Sequence, residues 1–204
     1  ECEPFGRCVH SCPNGCLSIA GETVSSDDLA ERLRENKDFL TMTGGGITIS
    51  GGEPLIQHEF IVSLCRELKG IHLALQTGGY ASKEVYKDVV GRFDYIMQDI
   101  KLADEEEHIK YTGVSNIPIL ENIEYLMKSG KEYVFRVPLI PGITDTDNNL
   151  KSIARIVGNS KVELLPYNTL AGAKYAMLGM NYTLENEGNR DIDYTAFFLN
   201  AVIR

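Results

Sequence analysis

The chain has no tryptophan and only seven prolines in 204 residues, and no apolar run approaches the ~20 residues that a membrane-spanning helix needs. Positive charge is also short. Twenty lysines and arginines face 29 aspartates and glutamates, for a net charge of −9, which argues against a nucleic-acid-binding face and leaves a membrane surface without a basic patch. Cysteine is nearly confined to one end: Cys2, Cys8, Cys12 and Cys16 cluster there and only Cys65 lies elsewhere, which excludes a disulfide framework and suits a reducing compartment such as the cytoplasm. The four histidines, His10, His58, His72 and His108, show no metal-ligand spacing. Neither a P-loop nor G-x-G-x-x-G is present, since Gly44 and Gly46 are followed by Ile49 where a third glycine is required. Internal repeats and low-complexity tracts are absent as well.

What is present alternates regularly. With 43% hydrophobic residues the chain can bury a substantial core as one main domain and a small N-terminal appendage. Five strand-like runs, residues 47–50, 72–77, 95–101, 133–139 and 162–166, are separated by amphipathic helical stripes, the pattern of βα units around a parallel sheet. Phe60, Ile61, Leu64, Cys65 and Leu68 form one stripe, and Val85, Tyr86, Val89 and Val90 the next. A third contains Ile119, Leu120, Ile123, Leu126 and Met127, and a fourth Leu150, Ile153, Ile156 and Val157. These stripes predict core, with Cys65 an inert thiol within it. Ser26, followed by Asp27 and Asp28, predicts a further helix start before the first strand, and the acidic run at 104–107 another.

The polar residues fall where the strands end, the place at which parallel βα proteins build their sites. In GGGITISGGEPLIQ, residues 44–57, Gly51 and Gly52 bare the backbone at the end of the first strand and Glu53 sets a carboxylate at the lip. Gln76, Thr77 and two glycines end the second strand, Asp99, Ile100 and Lys101 the third; Arg136 lies in the fourth and Asn168 follows the fifth. A carboxylate to meet an ammonium group, with Lys101 and Arg136 to meet a carboxylate, fits a zwitterionic amino-acid ligand.

The ordered set SGGEPLIQ, LQTGGY, MQDIKL, NIPILENIEYL, FRVPLIPGITD and LLPYNTLAGAKYAMLG resembles the activating enzymes of glycyl radical enzymes, a branch of the radical S-adenosylmethionine (radical SAM) superfamily that includes pyruvate formate-lyase activating enzymes. The resemblance covers roughly residues 24–182 and implies an α/β fold, a partial TIM-like barrel. It implies that Gly51, Gly52 and Glu53 bind the amino group of S-adenosylmethionine, that Asp99 and Lys101 hold its methionyl end, and that Arg136 lies near the same ligand. Gln76, Thr77, Ile100 and Asn168 complete the implied cofactor-binding set. Two of these depart from the family pattern. Gln76 replaces an acidic residue and removes the charge that an associated cation would meet, while Asn168 replaces a histidine and keeps hydrogen bonding without a titrating group.

A larger departure concerns the family's C-x-x-x-C-x-x-C motif, which holds the [4Fe-4S] cluster that reductively cleaves S-adenosylmethionine to a 5′-deoxyadenosyl radical. Cys12 and Cys16 have its first spacing, but Ile19 stands at the third position. With Glu1 in place of an initiator methionine, the expectation is a piece that lacks the cluster segment and is inactive by itself. The run CEPFGRCVHSCPNGCLSI resembles half of a bacterial ferredoxin motif, with Phe5 at the second cysteine position. It sets residues 1–23 apart as an incomplete ferredoxin-like segment before the partial barrel at 24–204. Cys2, Cys8, Cys12 and Cys16 are the candidate [4Fe-4S] ligands, with empty thiols and zinc as the alternatives. The resemblance implies two partners, a glycyl radical enzyme presenting its glycine loop and an electron donor such as flavodoxin or ferredoxin. A radical SAM enzyme of another substrate class, and a cluster-less S-adenosylmethionine-binding module, are the rival readings.

Overall fold

A computed structural model describes residues 6–19, 21–168, 175, 179, 181, 182, 184, 190 and 193–204. Its centre is a six-stranded, all-parallel sheet with the strands side by side in chain order: β1 (Gly46–Ile49), β2 (His72–Thr77), β3 (Tyr95–Asp99), β4 (Glu132–Leu139), β5 (Val162–Pro166) and β6 (Ala201–Ile203). Helices α1 (Arg7–Ser11), α2 (Ser26–Arg34) and α3 (Lys37–Thr43) precede the sheet. Between strands run α4 (His58–Glu67), α5 (Lys83–Val90), the pair α6 (Glu105–Thr112) and α7 (Ile117–Lys128), and α8 (Asp147–Val157). Sequential order with helical crossovers gives the βα units that the alternating pattern predicts and the α/β partial barrel that the resemblance implies.

β2, β3 and β5 bury alternate residues, as a period of two requires, and β4 does so from Phe135 onward. Leu73, Leu75, Ile96, Phe135, Val137, Leu139, Val162 and Leu164 face the helices, where Ile61, Leu64, Tyr86, Val89, Ile123, Leu126, Leu150 and Ile153 complete the core. The intervening Gln76, Met97, Asp99, Arg136 and Glu163 are half-buried on the opposite, concave face. Register aligns them across the sheet: Gln76 pairs with Met97, Asp99 with Arg136 and Arg136 with Glu163. Cys65 is buried on α4, as the stripe predicts, and burial pushes its thiol up to about 11 against an opposing pull from Arg92.

The structure corrects several boundaries. β1 and β3 end at Ile49 and Asp99, so Ser50, Ile100 and Lys101 lie beyond them, and β4 begins at Glu132. The cap of α2 is Ser25 rather than Ser26, its hydroxyl accepting the Asp28 N–H at 3.1 Å. Met127 is exposed, while Val62 is buried although it stands outside the α4 stripe. The acidic run does open a helix: Asp104 caps α6 and accepts the Glu107 N–H at 3.0 Å. β6 is an addition; three residues gave no periodic signal, and pairing with β5 through Val162 and Ala201 is what makes them a strand. Among the described residues no helix is long and apolar enough to cross a membrane.

Candidate functional site at the carboxyl rim of the sheet

Chain direction brings the carboxyl ends of β1, β2 and β3 to one rim, and Glu53 is the residue that joins them. Gly51 reaches it through φ +135°, a conformation that side chains disfavour, and a Cβ placed on Gly51 or Gly52 would meet nothing within 4 Å. The backbone here is therefore open to a ligand. Glu53 then caps a 3-10 turn at Pro54–Gln57, with its Oε1 accepting the Leu55 N–H at 3.1 Å. The same oxygen accepts the Thr77 hydroxyl at 2.5 Å, and Oε2 accepts the Gly78 N–H at 2.8 Å. Three donors from two loops fix the carboxylate while leaving its charge uncompensated by any cation in contact.

Lys101 stands opposite. A Cβ on Gly78 would sit 3.2 Å from Glu53 Oε2 and 3.8 Å from Lys101 Nζ, so the two charges flank one point. Lys101 Nζ also lies 3.2 Å from Asp99 Oδ2, whereas the other oxygen, Oδ1, is buried without a hydrogen-bond partner. Glu53, Gly78, Asp99 and Lys101 line one side of a cavity of about 260 Å³, with Tyr80, His108, Ile119 and Leu120 across from them. His108 is buried; its Nδ1 lies 2.8 Å from the Val114 carbonyl oxygen, which only an N–H can satisfy.

The remaining predicted residues have distinct places. Ile100 is buried, donates its N–H to the Arg136 carbonyl at 2.8 Å and lines the cavity. Gln76 sits on the concave face, one register step below Asp99 and away from the Glu53 contacts. Arg136 is neighbour to Asp99 in register but its guanidinium pairs with Glu163, Nε to Oε2 at 3.5 Å, and Glu163 also holds Arg204 at 2.7 Å. Asn168 is exposed beyond β5. The rim thus brings together Glu53, Thr77, Asp99 and Lys101, with Gly51 and Gly52 open beside them, and leaves Gln76 and Arg136 on the concave face.

The cysteines belong to a different region. Cys2 and Phe5 lie outside the described residues. Cys8 is on α1, Cys12 caps its C-terminus, and the hydrogen bonds of Cys12 and Cys16 stay within the segment: Cys16 N–H donates to Cys12 Sγ at 3.3 Å and the Cys16 thiol to the Asn14 carbonyl at 3.6 Å. Backbone N–H groups of Cys16 and Asn14 pull the Cys12 thiol below its ordinary range. Among the described residues no three histidine, cysteine or acidic side chains are placed to hold a metal ion.

Several residues that shape the rim escaped sequence reasoning. Asn122 donates to the Gly79 and Ala81 carbonyls, both at 3.0 Å. Asn116 donates to those of Leu102 and Ala103 at 3.1 and 2.9 Å. Beneath Thr77, Tyr86 donates its hydroxyl to Gln98 at 2.8 Å; burial, then the Glu53 charge, push its pKa up. Gly79, at φ +77°, packs so close to Gln98 that a Cβ would lie 2.7 Å from its Nε2. Asn122 did carry a signal, being a polar residue on an otherwise apolar stripe.

Comparison with known proteins fits this geometry. The family model described as the Radical SAM superfamily matches residues 3–152. The chain is 38% identical over 184 residues to the isethionate sulfite-lyase activating enzyme of Oleidesulfovibrio alaskensis, covering 87% of the chain and 60% of the relative. It is 37% identical over 178 residues to the trans-4-hydroxy-L-proline dehydratase activating enzyme of Clostridioides difficile, covering 83% and 59%. The chain therefore spans about 60% of the length of the curated relatives it matches. Among solved structures, a domain of a pyruvate-formate lyase-activating enzyme from Bacteroides vulgatus superposes with a TM-score of 0.59 at 26% identity, over 78% of this chain and 99% of that one.

Proposed function

Because the chain belongs to the radical SAM superfamily, we propose that it is the S-adenosylmethionine-binding barrel of an activating enzyme, one that withdraws a hydrogen atom from a glycine of a partner glycyl radical enzyme. The observation that carries this reading is the Glu53 carboxylate, fixed by Thr77, Gly78 and Leu55 and flanked by Lys101 at an open glycine turn. The activating-enzyme relatives supply the reaction class. Supporting it further, the orphaned Asp99 Oδ1 is an acceptor in want of a donor, which a ligand ammonium brings.

When bound, S-adenosylmethionine with the superfamily's iron–sulfur cluster supplies the radical chemistry, and the protein supplies binding and orientation. Glu53 and Asp99 attract the ammonium of the methionyl group and Lys101 its carboxylate; the bare backbone at Gly51 and Gly52 lets that group approach closely. The pinned rotamer of Glu53 means that little ordering remains to be done when the ligand binds. The half-buried position of Asp99 keeps solvent from screening its attraction. The partner's glycine loop and the electron donor would approach over this same open rim.

Titration calorimetry with S-adenosylmethionine tests the assignment. Glu53→Gln, which keeps the side chain's shape and one of its two acceptor oxygens, and Lys101→Ala should each weaken binding about 10- to 100-fold, the worth of one charge-assisted hydrogen bond. Unchanged affinity in both variants would refute it. Gln76 and Asn168, which replace a charged and a titrating residue of the family pattern, favour a second reading, a binding module with no radical chemistry of its own. Both readings predict the same titration. Anaerobic reconstitution followed by reduction separates them: 5′-deoxyadenosine formed from S-adenosylmethionine on this chain would remove the second.

A further inference from the structure

We propose that Asn149 is a positioning residue for Lys101, locking the loop after β3 to the loop after β4; the proposal rests on the ligand reading of the rim given above. Asn149 is 8% exposed and lies in the first turn of α8, where the Thr146 hydroxyl accepts its backbone N–H at 3.4 Å and so sets the direction in which its side chain points. Its Nδ2 donates to the carbonyl of Lys101 at 2.9 Å and to that of Thr144 at 2.8 Å. Its Oδ1 accepts the N–H of Ala103 at 3.0 Å. One buried amide therefore grips both sides of the peptide segment that begins at Lys101, with every bond it can readily form there satisfied.

The grip is anchored in the sheet. Thr144, 1% exposed, donates its hydroxyl to the Pro138 carbonyl within β4 and accepts the Ile140 N–H at 2.7 Å. A continuous chain of contacts thus runs from β4 through Thr144 and Asn149 to Lys101. Lys101 lies past the last paired residue of β3, so the ladder no longer fixes its backbone. Its ammonium sits on a flexible stem, and where that stem starts decides whether Nζ reaches the point it shares with Glu53. Asn149 acts at that origin without touching the ligand, and being uncharged it leaves the field of Glu53, Asp99 and Lys101 as it is.

A double-mutant cycle on the 204-residue chain distinguishes positioning from general support. Asn149→Ala should weaken S-adenosylmethionine binding about tenfold, and in a Lys101→Ala background the same change should alter the affinity less than about twofold. Val157→Ala, at the far end of α8, is chosen to lower the melting temperature by a similar amount; it should leave affinity unchanged. Losses that multiply in the double variant, or an unaltered affinity in Asn149→Ala, would overturn the proposal. If the unmodified chain fails to bind S-adenosylmethionine, the ligand reading itself falls, and Asn149 is judged by a signal independent of it. Carbon-13 NMR of reductively methylated lysines should then show the Lys101 resonance displaced in Asn149→Ala and unmoved in Val157→Ala. An undisplaced Lys101 resonance would overturn the positioning role.

Discussion

At the amino ends of the strands, charged side chains reaching in from the surface hold the turns; at the carboxyl ends, three buried neutral amides do so beside the carboxylates of Glu53 and Asp145. Lys131 donates from its ammonium to the carbonyls of Gly91 and Phe93 at 2.9 and 2.8 Å, and Asp94 accepts the Leu73 N–H at 2.8 Å. At the other end Asn116, Asn122 and Asn149 each donate two N–H groups to rim carbonyls from positions that exclude water. Either device satisfies backbone groups that leave the ladder. They differ in what they do to the field. A lysine or aspartate near the rim would compete with Glu53, Asp99 and Lys101 for a zwitterion, whereas amides supply donors at no net charge. The three amides thus tie the end that carries the ligand site without adding charge to it.

Removing one tie from each end would break or confirm this contrast. Asn122→Ala strands the buried carbonyl of Gly79 and releases the half-buried one of Ala81, and should cost about 2–4 kcal/mol in urea-induced unfolding. Lys131→Met leaves the exposed Gly91 carbonyl beside solvent, which replaces that donor, and only the Phe93 carbonyl less well served, so the expected cost is about 1 kcal/mol. Equal costs for the two variants would remove the distinction between the ends. The same Asn122 variant should also weaken S-adenosylmethionine binding, since the loop it releases carries the Gly78 N–H that holds Glu53.

How far these features could be read from the chain depends on the distance over which each is specified. Strand cores and helix stripes are local, and all five expected strands start within one residue of the observed ones, with β2 and β5 matching at both ends. Glu53, Thr77, Asp99 and Lys101 were legible because each follows a recognisable strand, and parallel order carries such positions to a common rim. The Arg136–Glu163 pair was not legible because it is set by register: Glu163 lies in another apolar run and faces Arg136 only once β4 and β5 pair. Asn149 was missed for a related reason. The carbonyls it binds come from Lys101 and Thr144, 48 and 5 residues away, and no local pattern announces that meeting. β6 combines both difficulties, being three residues long and defined only by its neighbour.

The smallest expected effect sharpens the contrast through pH, because a tie made by an amide does not titrate and a buried thiol does. Cys65 lies near the C-terminal end of α4, where that helix returns to the amino ends of the strands, and its thiol is raised from 9.0 to about 11, chiefly by burial. The folded state therefore keeps a proton that the unfolded chain releases. Stability from this group is complete below pH 9 and declines as pH rises towards 11, at up to about 1.4 kcal/mol per pH unit. Urea midpoints for the wild-type chain and Cys65→Ala should therefore converge as pH rises from 8 to 10.5, the variant starting lower and declining less. Asn122→Ala, by contrast, should run parallel to wild type throughout, displaced by a constant amount, because nothing in the tie it removes gains or loses a proton in that range. A pH-dependent gap for Asn122→Ala would mean that a titrating group shares the load at the carboxyl rim, and the division between charged and neutral ends would have to be redrawn.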